Sequence, residues 1–252
     1  MKASYWDSLA SSFDDEVFDP VAEDRNAVIS GLVRQNACSG HNLIDIGCGN
    51  GRNIARFHNL FRQVKGIDIS PACTRQARKL LADKENVSIA CHDLVRPFPA
   101  SQQYDLALCI NVVLDPVYSR RKRLFKHLFS LIRPGGRLIM VVPSVESVLL
   151  TTHRMVSLNL RHFPNYSQAA AATNDQLGFT AKSLRDGIIS KGGTPTKHYL
   201  KEELQLLFEE SGQQVQHLSK VEYPWNTEIE DPAATMQAPF PWDWLVMSSA
   251  PA

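Results

Sequence analysis

The chain has 252 residues, 44% of them apolar and 21% charged, and its 27 Lys and Arg against 26 Asp and Glu leave a formal charge of +1. That length buries a core without disulfide or metal staples, and the composition excludes a disordered chain. The neutral total excludes a chain-wide polyanion-binding surface, and no apolar run reaches the roughly 20 residues that cross a bilayer.

The opening residues Met1-Lys2-Ala3-Ser4-Tyr5-Trp6-Asp7 lack the apolar stretch of a secretory signal. The five cysteines, Cys38, Cys48, Cys73, Cys91 and Cys109, contain no C-x-x-C pair. Both features lead us to expect an unexported protein of a reducing cytoplasm. Cys91 and Cys109, inside apolar runs, are expected to act as small hydrophobes. Residues 1–39 read as a helical arm.

From residue 40 to residue 143 short β-rich runs alternate with helical periodicity. Residues 42–46 form a buried strand, then a glycine-rich turn, then a helix with Ile54, Phe57 and Phe61 on one face. Residues 64–69 are a second strand. Ser70-Pro71 starts a helix, since Ser caps orphan amides and Pro suits the first helical position. Strands follow at 87–91, 105–110 and 136–142, with a basic helix over 119–131. This alternation implies parallel pairing through right-handed crossovers and an α/β, doubly wound, Rossmann-like sheet.

Residues 144–198 break the rhythm, with no strand alternation and with Val145, Val148, Leu149, Met155 and Val156 at helical spacing. They read as a helical lid inserted between strand five and the last helix, with short helices flanking Pro164 and Gly178. A helix over 200–210 and strands over 215–221 and 244–247, adjacent and partly antiparallel, complete a seven-stranded sheet. The whole reads as a single domain.

The chemistry is concentrated in Asp45-Ile46-Gly47-Cys48-Gly49-Asn50-Gly51. Glycines at 47, 49 and 51 allow a tight turn and let a ligand approach a backbone without Cβ atoms. In a doubly wound sheet ligands bind at the carboxyl ends of the strands. Arg52 stands where a G-x-G-x-x-G fingerprint needs glycine, and no Gly-Lys-Ser/Thr follows, so neither a nicotinamide fingerprint nor a P-loop is present. Asp68 closes the second strand where a carboxylate accepts from both ribose hydroxyls; the same position also suits a cap for the next helix. Asp93, after the third strand, can meet an adenine amine or stand as a solvated loop carboxylate.

With Asp93-Leu94, Tyr104-Asp105-Leu106-Ala107-Leu108-Cys109-Ile110-Asn111 and Leu131-Ile132-Arg133-Pro134-Gly135-Gly136-Arg137-Leu138, the chain resembles the class I S-adenosylmethionine-dependent methyltransferases of small-molecule type. The likeness is close over residues 40–143 and loose over the last helix and strands. It implies S-adenosyl-L-methionine as cofactor, with Gly47 and Gly49 beside its methionyl part and with Asp45, Cys48 and Ile69 also among the cofactor-binding residues. It further implies Asp68 at the ribose, Asp93 and Leu94 at the adenine, and Asn111 at the methionine end. Tyr5 and Trp6 resemble the arm that folds over the cofactor; as plain staples of a helix they would pack on the sheet instead.

Methyl transfer from a sulfonium needs positioning and water exclusion, and a base only for a protonated acceptor. Candidate catalytic groups are His198 and Tyr199, where the insertion re-enters the core, and His153 in the lid helix. Asp115, Glu146 and His162 are further polar candidates, Tyr223-Pro224-Trp225-Asn226 a possible acceptor wall, and Trp242 and Trp244 packing residues. Asn111-Val112-Val113-Leu114 is not the Asn/Asp-Pro-Pro-aromatic run of nucleic-acid amino-methylating enzymes, and no Asp-rich cluster suggests a metal. The expected partner is a small-molecule acceptor, with nucleic acid and membrane disfavoured and a monomer or homodimer expected. The alternatives are a methyltransferase acting on tRNA or a protein, and a catalytically silent cofactor-binding protein. The basic run over 119–137 and the acidic first 25 residues are expected to attract one another as solvated faces.

Overall fold

The computed structural model describes residues 2–98, 103–177, 181–191, 194–229, 232 and 236–251. Four short helices open the chain: α1 (Ala3–Leu9), α2 (Phe13–Glu16), α3 (Pro20–Glu23) and α4 (Val28–Asn36). Asp19 caps α3 by accepting from the Val21 and Ala22 amides at 3.1 Å, with Pro20 at the first helical position. The core then runs β1 (Asn42–Ile46), α5 (Arg52–Phe57), β2 (Gln63–Asp68), α6 (Pro71–Leu80), β3 (Val87–Cys91), β4 (Tyr104–Ile110), α7 (Tyr118–Ser130) and β5 (Ile132–Pro143). The remainder is α8 (Val145–Asn159), α9 (Tyr166–Leu177), α10 (Ala181–Asp186), β6 (Ile188–Lys191), β7 (Thr194–Lys197), α11 (Lys201–Glu210), β8 (Gln214–Glu222) and β9 (Trp242–Ser249).

The main sheet has seven strands in the order β3-β2-β1-β4-β5-β9-β8. The first five are parallel, while β9 is antiparallel to both β5 and β8. Alternation along the strands sends Ile44, Ala107, Leu138 and Met140 into one core and Leu43, Leu106, Leu108 and Ile139 into the other. The first core rests on Leu124, Phe125 and Leu128 of α7 and on Leu204 and Phe208 of α11. The second rests on Ile29 and Val33 of α4 and on Ile54 and Phe57 of α5. Burying each such side chain contributes about 1.5–3 kcal/mol. Because β9 runs against β5, its amino end lies beside the carboxyl end of β5, with Pro143 opposite Asp243. The carboxyl ends of β1, β2, β3, β4, β5 and β8 and the start of β9 thus share one edge.

Three expectations are corrected. The segment 144–198 is not wholly helical: β6 and β7 form an antiparallel hairpin, opened by Gly187 at φ +62. Strands of four residues are too short to show alternation over a background of helical spacing. Cys91 is exposed, because β3 is the sheet edge and leaves one side of that strand uncovered. The acidic arm pairs with α5, not with the basic helix: Asp19 meets Arg56 at 2.6 Å and Arg52 at 3.4 Å, and Asn50 donates to Asp14 at 2.8 Å. Gly178 lies outside the described residues.

Candidate active site

The turn after β1 is set by backbone that only glycine adopts without strain. Gly47, Gly49 and Gly51 have φ of +70, +53 and +91. A Cβ on Gly47 would strike Val112, and one on Gly49 would lie 2.5 Å from the Phe13 ring, so the turn is pressed from both sides. The Gly47 and Cys48 amides donate to Ile67 O at 2.7 and 3.0 Å, fixing the turn against β2.

Asp68, the last residue of β2, accepts from the Gly49 amide at 2.9 Å and from the Ser70 amide at 2.8 Å. Ser70 itself caps α6 by accepting from the Cys73 amide at 3.0 Å. Asp68 therefore also takes part in the helix start, one oxygen serving each amide. Burial raises its carboxyl more than these two amides lower it, with the Asp7 charge adding to the rise. Asp7 accepts from Ser70 Oγ at 2.6 Å and from the Ala72 amide at 2.9 Å, tying α1 to α6.

These residues enclose a cavity of about 320 Å³. Gly47, Cys48 and Gly49 floor it, Asp68 and Ile69 stand at one side, and Asp93 and Leu94 close the end beyond β3. Tyr5 and Trp6 reach it from α1, their rings edge to face at 5.1 Å, with Tyr5 38% exposed. Asn111, held at φ +54 just after β4, forms part of the opposite wall. Asp93 accepts from the Val95 amide at 3.0 Å and is held as a turn residue facing the cavity.

Asp45 is the exception among the expected cofactor residues. It is 2% exposed, does not line the cavity, and its Oδ2 has no partner. Burial, and next the Asp68 charge, push its carboxyl up to about 8. Alternation along β1 turns it into the sheet instead of toward the turn.

A second cavity of about 250 Å³ adjoins the first and shares Phe18 and Asn111 with it. Its walls come from the end of β5, the start of α8, Ile189 of β6, the end of β8 and the start of β9. Of the expected catalytic groups only His198 is there, its Nδ1 3.3 Å from Thr196 O. Tyr199 is corrected to a core residue: it is 1% exposed, and its hydroxyl donates to Val113 O at 2.6 Å. Burial pushes that phenol far above its ordinary value, so it is no base near neutral pH. His153 is also corrected, since it is exposed on α8 and lines neither cavity. Glu146 accepts from Trp244 Nε1 at 2.9 Å and Asp115 from Arg120 at 2.8 Å, both holding structure together.

The sequence reading missed Thr151, Trp242 and Asp243, which line the second cavity. Trp242 was expected only to pack, and it does stack edge to face on Trp244 at 5.9 Å. The signal that could have found Asp243 is a carboxylate immediately ahead of an apolar strand read as starting too late. Tyr223 is also in this wall and donates to Asp243 Oδ2 at 3.0 Å, while Trp225 is buried beside it in sequence. Among the described residues no cluster of three or more His, Cys, Asp or Glu could hold a metal, and no helix is long and apolar enough to cross a membrane.

Residues 43–136 match a family model described as a methyltransferase domain. The chain is similar to malonyl-[acyl-carrier protein] O-methyltransferase 1 of Ilyobacter polytropus, 31% identical over 102 residues that cover 39% of this chain and 36% of that protein. It is also similar to the tRNA U34 carboxymethyltransferase of Pseudoalteromonas translucida, 28% identical over 160 residues, 60% of this chain and 48% of that one. The chain thus matches less than half the length of these two curated relatives. Among solved structures it resembles the N-methyltransferase NodS from Bradyrhizobium japonicum in complex with S-adenosyl-L-homocysteine, with TM-score 0.61, 13% identity and 98% of each chain covered. At that identity the likeness is one of fold.

Proposed function

We propose, on the premise that residues 43–136 form a class I methyltransferase domain, that this chain transfers a methyl group from S-adenosyl-L-methionine to an N, O or S atom of a small-molecule acceptor. The observation that carries the reading is the pair of cavities meeting at Phe18 and Asn111. One has the glycine turn and strand-end carboxylates that suit an adenosyl group, and the other lies beyond its methionine end.

The residues present fit that cofactor. Each Asp68 oxygen accepts one amide, and a carboxylate has about four lone-pair sites, so two ribose hydroxyls still find acceptors there. Gly47 and Gly49 line the larger cavity where the methionyl chain would pass. Asp93 and Leu94 stand at the adenine end, with Tyr5 and Trp6 as the cover. Bound there, the cofactor supplies an activated methyl, whose carbon bonds to the acceptor's lone pair as the C–S pair stays on sulfur.

The chain's own part is to align and to exclude water. Phe18 of the arm, packed edge to face on Tyr223 at 4.9 Å, lines both cavities, with Tyr223 in the wall of the smaller one. His198 is the group in that wall suited to take a proton from the acceptor. The Cys48 and Cys109 thiols offer no covalent route, because burial pushes both far up.

Calorimetry with S-adenosylmethionine and its demethylated product tests the reading, with transfer of labelled methyl to a low-molecular-weight metabolite extract as the second arm. Binding that Asp68→Ala removes supports it; equal binding by that variant overturns the cofactor assignment. Binding without transfer to any extract component favours the silent alternative.

A second reading, an RNA acceptor, draws on Lys122, Arg123 and Lys126, exposed on α7 beside the site. Arg120 and Arg121 are turned inward onto Asp115, which shrinks that patch. Salt-sensitive tRNA binding would favour it.

A further inference from the structure

Arg52 opens α5 directly after the glycine turn, and its side chain reaches back to the arm. Its Nη1 donates to Val17 O at 3.0 Å and its Nη2 to Phe18 O at 2.5 Å, while Nε lies 3.4 Å from Asp19 Oδ2. The guanidinium carbon stands 5.2 Å from the centre of the Phe13 ring, the same ring that presses on Gly49. One planar fork thus holds three consecutive arm residues from a backbone position next to the turn. The side chain is only 16% exposed, so water competes little for these bonds. An ammonium in its place would keep the attraction to Asp19 but could not grip two carbonyls in fixed directions.

The far side of the fork reaches the smaller cavity. Phe18 lines both cavities, and its ring packs edge to face on Tyr223 at 4.9 Å. Tyr223 lines the smaller cavity and donates to Asp243 Oδ2 at 3.0 Å. Phe13, Val17 and Arg52 itself line the larger cavity. A continuous set of contacts therefore runs from the glycine turn through Arg52 and Phe18 to the wall of the smaller cavity. Phe18 is 39% exposed, so packing alone holds its ring loosely, and the bonds on its backbone fix where the ring stands.

Resting on the methyltransferase reading, we infer that Arg52 is a positioning residue for the acceptor. Cofactor in the larger cavity seats the arm, and Arg52 passes that order to Phe18, which completes the smaller cavity. The acceptor is then received only behind a bound cofactor. By linkage, a bound acceptor tightens the cofactor by the same factor.

The test is hydrogen–deuterium exchange of the full chain with and without S-adenosylhomocysteine, beside calorimetry for its affinity. In the wild type the product is expected to slow exchange at the glycine turn, over the arm at 13–19, and over 221–229. That last stretch contributes to the smaller cavity and not to the larger one, and its Tyr223 amide donates to Pro241 O. Arg52→Lys and Arg52→Met are both expected to weaken the product about tenfold, or about 1.4 kcal/mol. At saturating product each should keep the slowing at the turn and lose it over 221–229. Phe18→Ala, a change at an exposed side chain, should keep it at the turn and over 13–17 and lose it over 221–229; this variant carries the test should the Arg52 variants fail to fold. A lysine that restores wild-type affinity and protection would reduce Arg52 to a charge facing Asp19 and overturn the inference. So would slowing confined to the turn in the wild type, or residues 221–229 still protected in Arg52→Met or Phe18→Ala. Each of these outcomes leaves the cofactor reading intact, whereas a wild type that binds no product overturns both.

Discussion

The Gly49 amide donates to Asp68 Oδ2 at 2.9 Å, joining the turn after β1 to the end of β2. This bond fixes a carboxylate beside the glycine turn in the wall of the larger cavity. It also makes Asp68, the proposed ribose ligand, a part of the scaffold, because the Ser70 amide depends on it too.

Asp68→Ala is therefore expected to lose affinity for S-adenosylmethionine on the order of a hundredfold and stability by about 1–3 kcal/mol, since two amides lose their acceptor. Calorimetry and urea unfolding measure the two effects separately. Asp68→Asn, which keeps one acceptor oxygen, should recover more of the stability than of the affinity.

Gly49→Ala places a methyl 2.5 Å from the Phe13 ring at a left-handed φ of +53. The strained backbone costs about 1–2 kcal/mol, and the arm must move to relieve the contact. Trp6 fluorescence should report that movement, and Phe13→Ala in the same chain should restore part of the stability. An additive double mutant would show that the ring and the glycine do not touch in solution.

Asp45 sets a pH dependence. Its folded carboxyl is pushed up to about 8, against an ordinary value of 3.8, by burial and then by Asp68. The folded chain holds that proton more tightly than the unfolded one does. The stabilisation is complete below the unfolded value and is lost as pH rises toward about 8. Asp45→Asn is expected to gain stability over the wild type progressively across that window and then level off. Urea midpoints that run parallel at all pH values would refute the assignment.

Tyr199→Phe removes the 2.6 Å bond to Val113 O and leaves that carbonyl buried. It should cost about 1–3 kcal/mol of stability and leave the pH profile of methyl transfer unchanged. His153→Ala, on an exposed face of α8, should change neither. His198→Ala should lower turnover with a protonated acceptor and spare cofactor affinity, which single-turnover transfer and calorimetry distinguish.

Asp19 anchors the arm. Burial works to raise its carboxyl, yet the Arg56 hydrogen bond and the Arg52 charge outweigh it and the net shift is downward. The anchor contributes above the unfolded value and weakens as pH falls through the lower folded one. Arg56→Ala is expected to loosen the arm at neutral pH, read as higher proteolytic sensitivity before α4 and severalfold weaker cofactor binding.

The core was legible in the sequence because its signals are local. Short β-rich runs, Ser70-Pro71 and the three glycines of the turn carry local signals, so β1 through β5 and the glycine turn could be read within a few residues. The smaller cavity was not legible, because its lining is brought together by neighbours distant in sequence. Tyr199 and His198 are adjacent, yet one is sealed in the core and the other faces a cavity. The hairpin β6–β7 was hidden by its brevity. Trp242 and Asp243 became site residues only when β9 began two residues early.

The sequence by itself determined a doubly wound sheet and a turn suited to an adenosyl cofactor, since backbone freedom and hydrophobic period act over a handful of residues. Only the tertiary structure decided which side chains face the smaller cavity. That choice rests on the antiparallel docking of β9 against β5, which sets Asp243 beside Pro143 and within 3.5 Å of Asn111. Strand order and register are long-range pairings, and burial fixes them for the whole sheet at once.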